Sequence, residues 1–405
     1  SVARTSSRRL LRRGSMSRNR TKRLNLSSIR IVHGGWLVVV SALALTMLGI
    51  VAIDTTRPST AIRQLVLGCL GIAVGVAVAT IPARRLRQAS WWLLGFGLLL
   101  LLLLLVPSVP DFLVRPRHGA RRWINLGMTD FQPSELVKVA FVLALASHLR
   151  FKHHYRKFVG LLLALCVVVP SAFLILIEPD LGTAMLFLPA MLAMLIAAGA
   201  RYKHLIIITI LGLGVSALMY PMLKPHQKDR ITALIAQVQG DDRYEQNIGY
   251  QGARAMMLIG AGQTRGVGKE SAKELLVANH LPEEHNDMIF AVICLRWGLR
   301  GAVVMWLLYA LLGVGGIIAS IGCRDPFPRL VAVGLTAMLL SQMVINTAMT
   351  LGLAPITGLT LPFISAGGSS LVVAWLMAGI LFGISMRRDP LMTREGFTFA
   401  EGDYR

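Results

Sequence analysis

The sequence predicts an all-α polytopic membrane protein of about ten transmembrane helices, with one large loop between spans seven and eight. Three observations carry that prediction. Hydrophobic residues make up 55% of the chain and charged residues 15%, against about 25% charged in a soluble globular domain. Mean hydropathy is +0.62. The apolar residues gather in runs close to the length at which a helix crosses a hydrocarbon core, too long for barrel strands.

The runs fall at 36–53, 62–82, 89–107, 134–149, 158–177, 182–200, 203–222, 297–320, 328–351 and 369–386. The fourth is the weakest, because Ser134, Glu135 and Lys138 crowd its start. Ahead of the first run, residues 1–33 hold ten Lys or Arg and no acid, which predicts a disordered basic tail. Ala42-Leu43-Ala44 looks like a signal-peptide cleavage site, yet the apolar run continues past it to Ile53, so an anchor is expected instead. Residues 34–388 then form the membrane domain, with its large loop at 221–296, and 389–405 a C-terminal tail.

The formal charge of +22 excludes less than its size suggests. A basic excess implies nucleic-acid binding when it forms one folded face, but here it lies in the tail and short loops, so no nucleic-acid partner is expected. With the tail cytoplasmic, Arg84, Arg85 and Arg87, then Arg150, Lys152, Arg156 and Lys157, then Arg324 and Arg329, and Arg387 and Arg388 read as inner-loop charges, whereas Arg201 and Lys203 count against the assignment. Cys69, Cys166, Cys294 and Cys323 are scattered with no C-x-x-C pair, which predicts neither a disulfide framework nor a zinc site.

Four polar clusters interrupt the apolar pattern. Arg117 to Asn125 with Gln132 to Lys138 offers Arg forks suited to phosphate oxygens, although Glu135 and Lys138 also make an i, i+3 pair in a first helical turn. Asp180, in Glu178-Pro179-Asp180-Leu181-Gly182-Thr183, is placed to cap the next helix, and a carboxylate at membrane depth is also a functional candidate. The large loop holds Tyr250-Gln251, glycines at 260, 262, 266 and 268, a Ser271–Glu274 capping-box spacing that predicts a helix start, and Leu281-Pro282-Glu283-Glu284-His285-Asn286-Asp287. Asp287 reads equally as a cap for a helix near Ile289 or as a functional carboxylate. Finally, Pro355 to Ser370 is dense in Pro and Gly, and broken backbone at membrane depth is tolerated where it lines a protein-buried or wet cavity.

Taken together these residues resemble the shape, elongation, division and sporulation family, the FtsW/RodA/SpoVE group. The resemblance rests on Gly119-Ala120 with Arg122-Trp123-Ile124, Gln132-Pro133-Ser134-Glu135 with Lys138, Pro179-Asp180-Leu181-Gly182-Thr183, Tyr250-Gln251, Leu281-Pro282-Glu283 with His285 and Asp287, and Pro362-Phe363-Ile364-Ser365 with Gly367-Gly368-Ser369-Ser370. The pieces occur in the family's order over residues 119–370.

The resemblance implies a peptidoglycan glycosyltransferase of the bacterial cytoplasmic membrane that polymerises lipid II and releases polyprenyl diphosphate. It further implies a ten-helix fold with both termini cytoplasmic and the large loop extracellular, and a class B penicillin-binding protein transpeptidase as partner. By the same resemblance Asp287 is the catalytic residue. Arg122, Glu135, Lys138, Asp180, Gln251, His285, Ser365, Gly367, Gly368 and Ser369 are expected to bind substrate, with a divalent cation (Mg or Mn) as the one cofactor to consider. The chain departs from the family pattern at Asn286, Met288 and Ala366, and at Leu295 and Arg296, which stand where the family has a Glu pair. Arg296 is therefore expected to reverse the charge near the acidic residue. A lipid-linked precursor flippase or a scaffold recruiting a cell-wall synthase is the rival reading. The outward bias of the polar groups under the family topology favours surface chemistry over transport.

Overall fold

The computed structural model of the chain describes residues 33–106, 109–110, 114–117, 120–125, 127, 130–151, 158–219, 221, 225–239 and 249–387. The expected tails lie outside these residues, His33 apart. Helix α1 (Gly35–Thr56) turns at Arg57 directly into α2 (Pro58–Ala79), whose proline sits at the first helical position, where it has no N–H to waste. This start precedes the predicted 62. Helix α3 (Ala83–Leu105) follows Pro82.

Between α3 and the fourth helix the chain folds into a small antiparallel sheet, β1 (Val114–Arg117), β2 (Ala120–Asn125) and β3 (Asp130–Phe131), in the order β1-β2-β3. Val114 pairs with Ile124 and Ile124 with Phe131. Val114 and Ile124 bury against Leu104 at the end of α3, which fixes the sheet to the helix bundle. An all-α reading of the sequence did not include it. Strands this short give too little alternation to register as a pattern.

Helix α4 (Pro133–Leu149) is followed by α5 (Phe158–Ile177), α6 (Leu181–Met185) and α7 (Phe187–Ala198), the last closed by Gly199 at φ 87°. The predicted span at 182–200 is thus two helices. Helix α8 (Tyr202–Met219) leads into the large loop, which contains α9 (Pro225–Gln239), α10 (Tyr250–Gly262) and α11 (Lys269–Asn279). Long helices α12 (Ile289–Ile321), α13 (Pro326–Thr350) and α14 (Gly368–Met386) complete the fold. All ten predicted apolar runs are helical. Among the described residues seven helical stretches are long and apolar enough to cross a membrane: α1, α2, α3, α6 with α7, α12, α13 and α14.

Burial separates the central helices from the lipid-facing ones. The apolar windows of α14 and α13 are 72% and 61% buried, those of α2 and α3 only 28%. Helix α4 is buried along nearly its whole length, including Ser134, Glu135 and Lys138. A helix shielded from lipid need not be uniformly apolar, which is why its hydropathy was weak.

Two glycine sets shape the packing. At the α2–α14 contact, a Cβ on Gly71 would lie 2.8 Å from Trp375, and one on Gly383 would lie 2.6 Å from the Ala79 carbonyl. Close backbone approach of this kind replaces the hydrophobic drive that lipid does not supply. The second set explains two glycines of the loop, Gly262 and Gly266, where a Cβ would lie 2.0 Å from the Cys294 carbonyl and 2.3 Å from the Arg296 carbonyl. Helix α12 breaks at Gly298 (φ 66°, ψ −158°), and the α10–α11 turn crosses it there. The Val267 and Gly268 amides donate to the Leu295 and Arg296 carbonyls at 2.9 and 3.2 Å, and the Leu299 amide donates to the Gln263 carbonyl at 2.9 Å. A Cβ on Gly298 would meet the Gly266 amide at 2.5 Å, so the crossing needs glycine. The same turn corrects one expectation. Helix α11 starts at Lys269 behind Gly268 at φ 82°, so Ser271 is inside the helix and does not cap it. Helix α12 starts at Ile289, where a helix was expected beside Asp287, and continues through the apolar run at 297–320.

Candidate active site

The broken segment between α13 and α14 is the floor on which the polar residues meet. Gly358 takes φ 75° and Phe363 φ 66°, and the Tyr309 hydroxyl donates to the Pro362 carbonyl, anchoring the segment to α12. Two amides on one face of α13 hold it from the other side. Gln342 Nε2 donates to the Thr360 carbonyl at 2.8 Å. Asn346 Nδ2 donates to the Leu359 carbonyl at 2.7 Å and to the Asp287 carbonyl at 2.8 Å. Asn346 thus joins the broken segment to the loop that carries Asp287.

Asp287 does not cap α12, whose N-cap is Met288 without a side-chain bond. Asp287 is 7% exposed, and its Oδ1 has no hydrogen-bond partner among the described residues. Burial pushes the carboxyl up to about 7, and the Glu283 charge adds to this; Arg230 and nearby backbone amides pull the other way. A Cβ on Gly358 would sit 3.8 Å from Oδ2, an ordinary contact distance, so this glycine lies directly against the carboxylate.

Arg230 reaches the site from α9. Its Nη1 donates to the Ile356 carbonyl at 2.9 Å, and it lies within electrostatic reach of Asp287, Asp180 and Arg122. Arg122 Nε donates to the Glu178 carbonyl at 2.6 Å and its Nη2 to the Pro179 carbonyl, which locks the sheet to the turn before α6. Asp180 caps α6 as the spacing suggested, accepting from the Thr183 amide at 3.1 Å. Its Oδ2 accepts from Gln132 Nε2 and Thr183 Oγ1, both at 2.9 Å. Glu178 beside it is 3% exposed, with Oε1 unpartnered. Burial, then the Asp180 charge, pushes its carboxyl up to about 9 against the opposing pull of Arg122, so it is protonated at neutral pH.

Glu135 and Lys138 form the i, i+3 pair at 2.9 Å, with side chains 6% and 1% exposed. Lys138 Nζ also donates to Gln342 Oε1 at 3.2 Å, so the pair orients the amide that holds Thr360. Gln251 donates to the Pro282 carbonyl at 3.4 Å and ties α10 to the Asp287 loop. The His285 carbonyl accepts from the Ala366 amide at 2.9 Å, while burial, helped by Arg57, lowers the His285 ring and keeps it neutral. Ser365 is buried, and its hydroxyl oxygen accepts from the Leu361 amide at 2.7 Å. Gly367 is the N-cap of α14, and Gly368 and Ser369 are its first residues.

Arg296 corrects the charge expectation. Its Nη1 donates to the Val51 carbonyl and to Thr55 Oγ1, each at 2.6 Å, which draws the guanidinium to the end of α1; the charges acting on Asp287 are Glu283 and Arg230. Sequence reasoning did not select Arg230, Glu178, Gln132, Gln342 or Asn346 as site residues. Gln342 and Asn346 left a signal, two amides four apart in an apolar span; Arg230 left none. Among the described residues no group of three or more His, Cys, Asp or Glu could hold a metal ion.

The family profile described as "Cell cycle protein", FtsW/RodA/SpoVE, matches residues 24–389. A probable peptidoglycan glycosyltransferase FtsW of Nitrosomonas europaea is 37% identical over 323 residues, covering 78% of this chain and 79% of the relative. The stage V sporulation protein E of Bacillus subtilis is 31% identical over 330 residues, covering 80% and 86%. Among solved structures, a chain from a peptidoglycan synthase complex that coordinates polymerization and crosslinking superposes with TM-score 0.71 at 30% identity, covering 86% of this chain and 96% of that one. The rod shape determining protein RodA of Thermus thermophilus superposes with TM-score 0.64 at 28% identity, covering 86% and 95%. With the profile matched over residues 24–389, this integral membrane protein belongs to the FtsW/RodA/SpoVE family.

Proposed function

We propose that this chain is a peptidoglycan glycosyltransferase that polymerises lipid II into glycan strands and releases polyprenyl diphosphate. The observation that carries the reading is Asp287, a buried carboxylate with an oxygen unpartnered among the described residues and its carboxyl pushed up to about 7. Such a group is matched to take a proton at physiological pH. In the proposed reaction Asp287 removes the proton from the acceptor sugar hydroxyl as its oxygen attacks the anomeric carbon of the donor. The bond from that carbon to the diphosphate breaks, and the diphosphate leaves with the electron pair. Diphosphate needs no general acid, in contrast to the alcohol leaving groups of glycosidases. Displacement assisted by a single carboxylate inverts the anomeric carbon.

Cations answer the charge that develops on the leaving group. Arg122 and Arg230 converge electrostatically on the region, and Lys138 adds a charge partly offset by Glu135. Asp180, Gln251, His285, Ser365, Gly367, Gly368 and Ser369 shape the surrounding walls through the bonds and helix start described above. The similarity to a chain of a peptidoglycan synthase complex supports a class B penicillin-binding protein transpeptidase as partner.

The proposed location is the bacterial cytoplasmic membrane, both termini cytoplasmic and Asp287 at the outer face. A cysteine at exposed Lys273 should then react with an impermeant thiol reagent from outside, and one at Arg324 should not; the reverse pattern would overturn the orientation. For the chemistry, Asp287→Asn keeps size and hydrogen bonding but removes the basic lone pair. Polymerisation by the purified protein should fall by about 10²- to 10⁴-fold while lipid II binding persists. Near-parental activity would remove Asp287 from the role of base.

A further inference from the structure

Outside the site just described, a cavity of about 360 Å³ lies between the α1–α2 corner and α11. Thr55, Thr56 and Arg57 form one wall, and Lys273, Leu276, Val277 and His280 of α11 the other, with Leu281 and Glu284 from the Asp287 loop. Two hydrogen-bonded ties brace it. Lys269 Nζ meets Asp54 Oδ2 at 2.6 Å, and Arg296 binds the Val51 carbonyl as noted. Its volume lies in the range of small-ligand pockets, about 300–1,000 Å³.

The lining chemistry narrows the occupant. Arg57 and Lys273 offer two cations, so the occupant carries an anionic group. Glu284 on the same lining disfavours a polyphosphate, whose charges would crowd a carboxylate, and suits an ammonium. Leu276, Val277 and Leu281 add apolar surface that a bare sugar would not use. Carboxylate, amine and apolar side chain occur together in a short peptide. Burial raises the Glu284 carboxyl while Arg57 pulls it down, which places Arg57 and Glu284 within electrostatic reach of each other across the cavity.

We infer that this cavity holds the acidic peptide carried by the sugar substrate, its carboxylate on Arg57 and Lys273 and its amine on Glu284. The inference rests on the proposed glycosyltransferase function and adds a substrate subsite to it. Because Glu284 lies in the loop that carries Asp287, seating the peptide here would position the attached sugar relative to that carboxylate.

The test uses the full-length protein and lipid-linked disaccharide substrates whose peptide carboxylates are free or amidated. Arg57→Gln and Lys273→Gln, both at exposed positions, should each raise KM for the free-acid substrate by about 3- to 10-fold with kcat little changed. Amidation should raise the parent KM similarly, and the variants should no longer differ from the parent on the amidated substrate. Glu284→Gln should respond to acetylation of the peptide amine in the same non-additive way. Equal effects of the variants on both substrates would overturn the inference, as would a KM effect of Arg57→Gln that appears only in bilayers containing anionic lipid, which would assign the cavity to a headgroup. Binding of the soluble disaccharide-peptide, measured without turnover, separates the two readings. Binding weakened by Arg57→Gln in a protein that does not polymerise would sink the function alone. Polymerisation insensitive to peptide charge would sink the subsite alone.

Discussion

The raised carboxyl of Asp287 makes the pH dependence of polymerisation the most discriminating measurement. A base with the ordinary carboxylate value of 3.8 would be fully ionised above about pH 5, and the rate would be flat from there upward. With the carboxyl at about 7, the ionised fraction rises about 10-fold between about pH 6 and pH 8, and the rate should rise with it. The causes can be perturbed one at a time. Arg230 favours the ionised form, so Arg230→Gln should move the acidic limb upward and lower the maximal rate through loss of a cation. Glu283 disfavours it, so Glu283→Gln should move the limb down. Glu178 titrates separately, and Glu178→Gln should leave the limb near 7. The same shift has a stability consequence of opposite sign to the activity. Because the folded value is raised, ionising Asp287 costs folding free energy above about pH 7 and costs nothing below about pH 4. Asp287→Asn should therefore abolish activity yet stabilise the protein by up to about 4 kcal/mol at pH 8, and not at pH 4. Single-turnover rates with lipid II across pH, together with thermal inactivation of parent and Asn variant in detergent, decide both points. A flat rate profile from about pH 5 to 8 that ignores Arg230→Gln would refute the reasoning.

Three further outcomes follow from the packing. Asn346→Leu removes the bonds to the Asp287 and Leu359 carbonyls, and at about 1 kcal/mol each plus the loss of loop position should lower kcat by about 10- to 100-fold with lipid II binding little affected. Lys138→Met strands Glu135 in the core and should cost about 3–5 kcal/mol in thermal inactivation assays, whereas the double replacement Glu135→Leu with Lys138→Met should recover most of it. Gly379→Val pushes a side chain into the Gly75 backbone of α2 and should destabilise by at least about 1–3 kcal/mol, while Gly95→Ala, with nothing within 4 Å, should be neutral in the same assay.

Much of the fold was legible in the sequence because the bilayer imposes a one-dimensional rule: long apolar runs must be helices, and the predicted runs are helical, the one at 182–200 as two helices. Asp180 was legible for a local reason, since capping depends on a residue three positions away. Asp287 stood out through the family resemblance, but its neighbours did not. Arg230 comes from a loop helix, and only folding brings it to a carboxylate 57 positions further along the chain. The tertiary structure decided three matters that no local pattern contains. Burial of α4 turned a weak span into a central helix that can hold Glu135 and Lys138. The kink at Gly298 made sense of Gly262 and Gly266 in the loop, since those two glycines admit the crossing backbone. The direction of Arg296, bonded to α1, removed a charge that its position in the chain had placed against Asp287. Hydropathy and capping are properties of neighbours in sequence, so the sequence determines them by itself; a charge acts on whatever folding sets beside it, and that distance exists only in three dimensions.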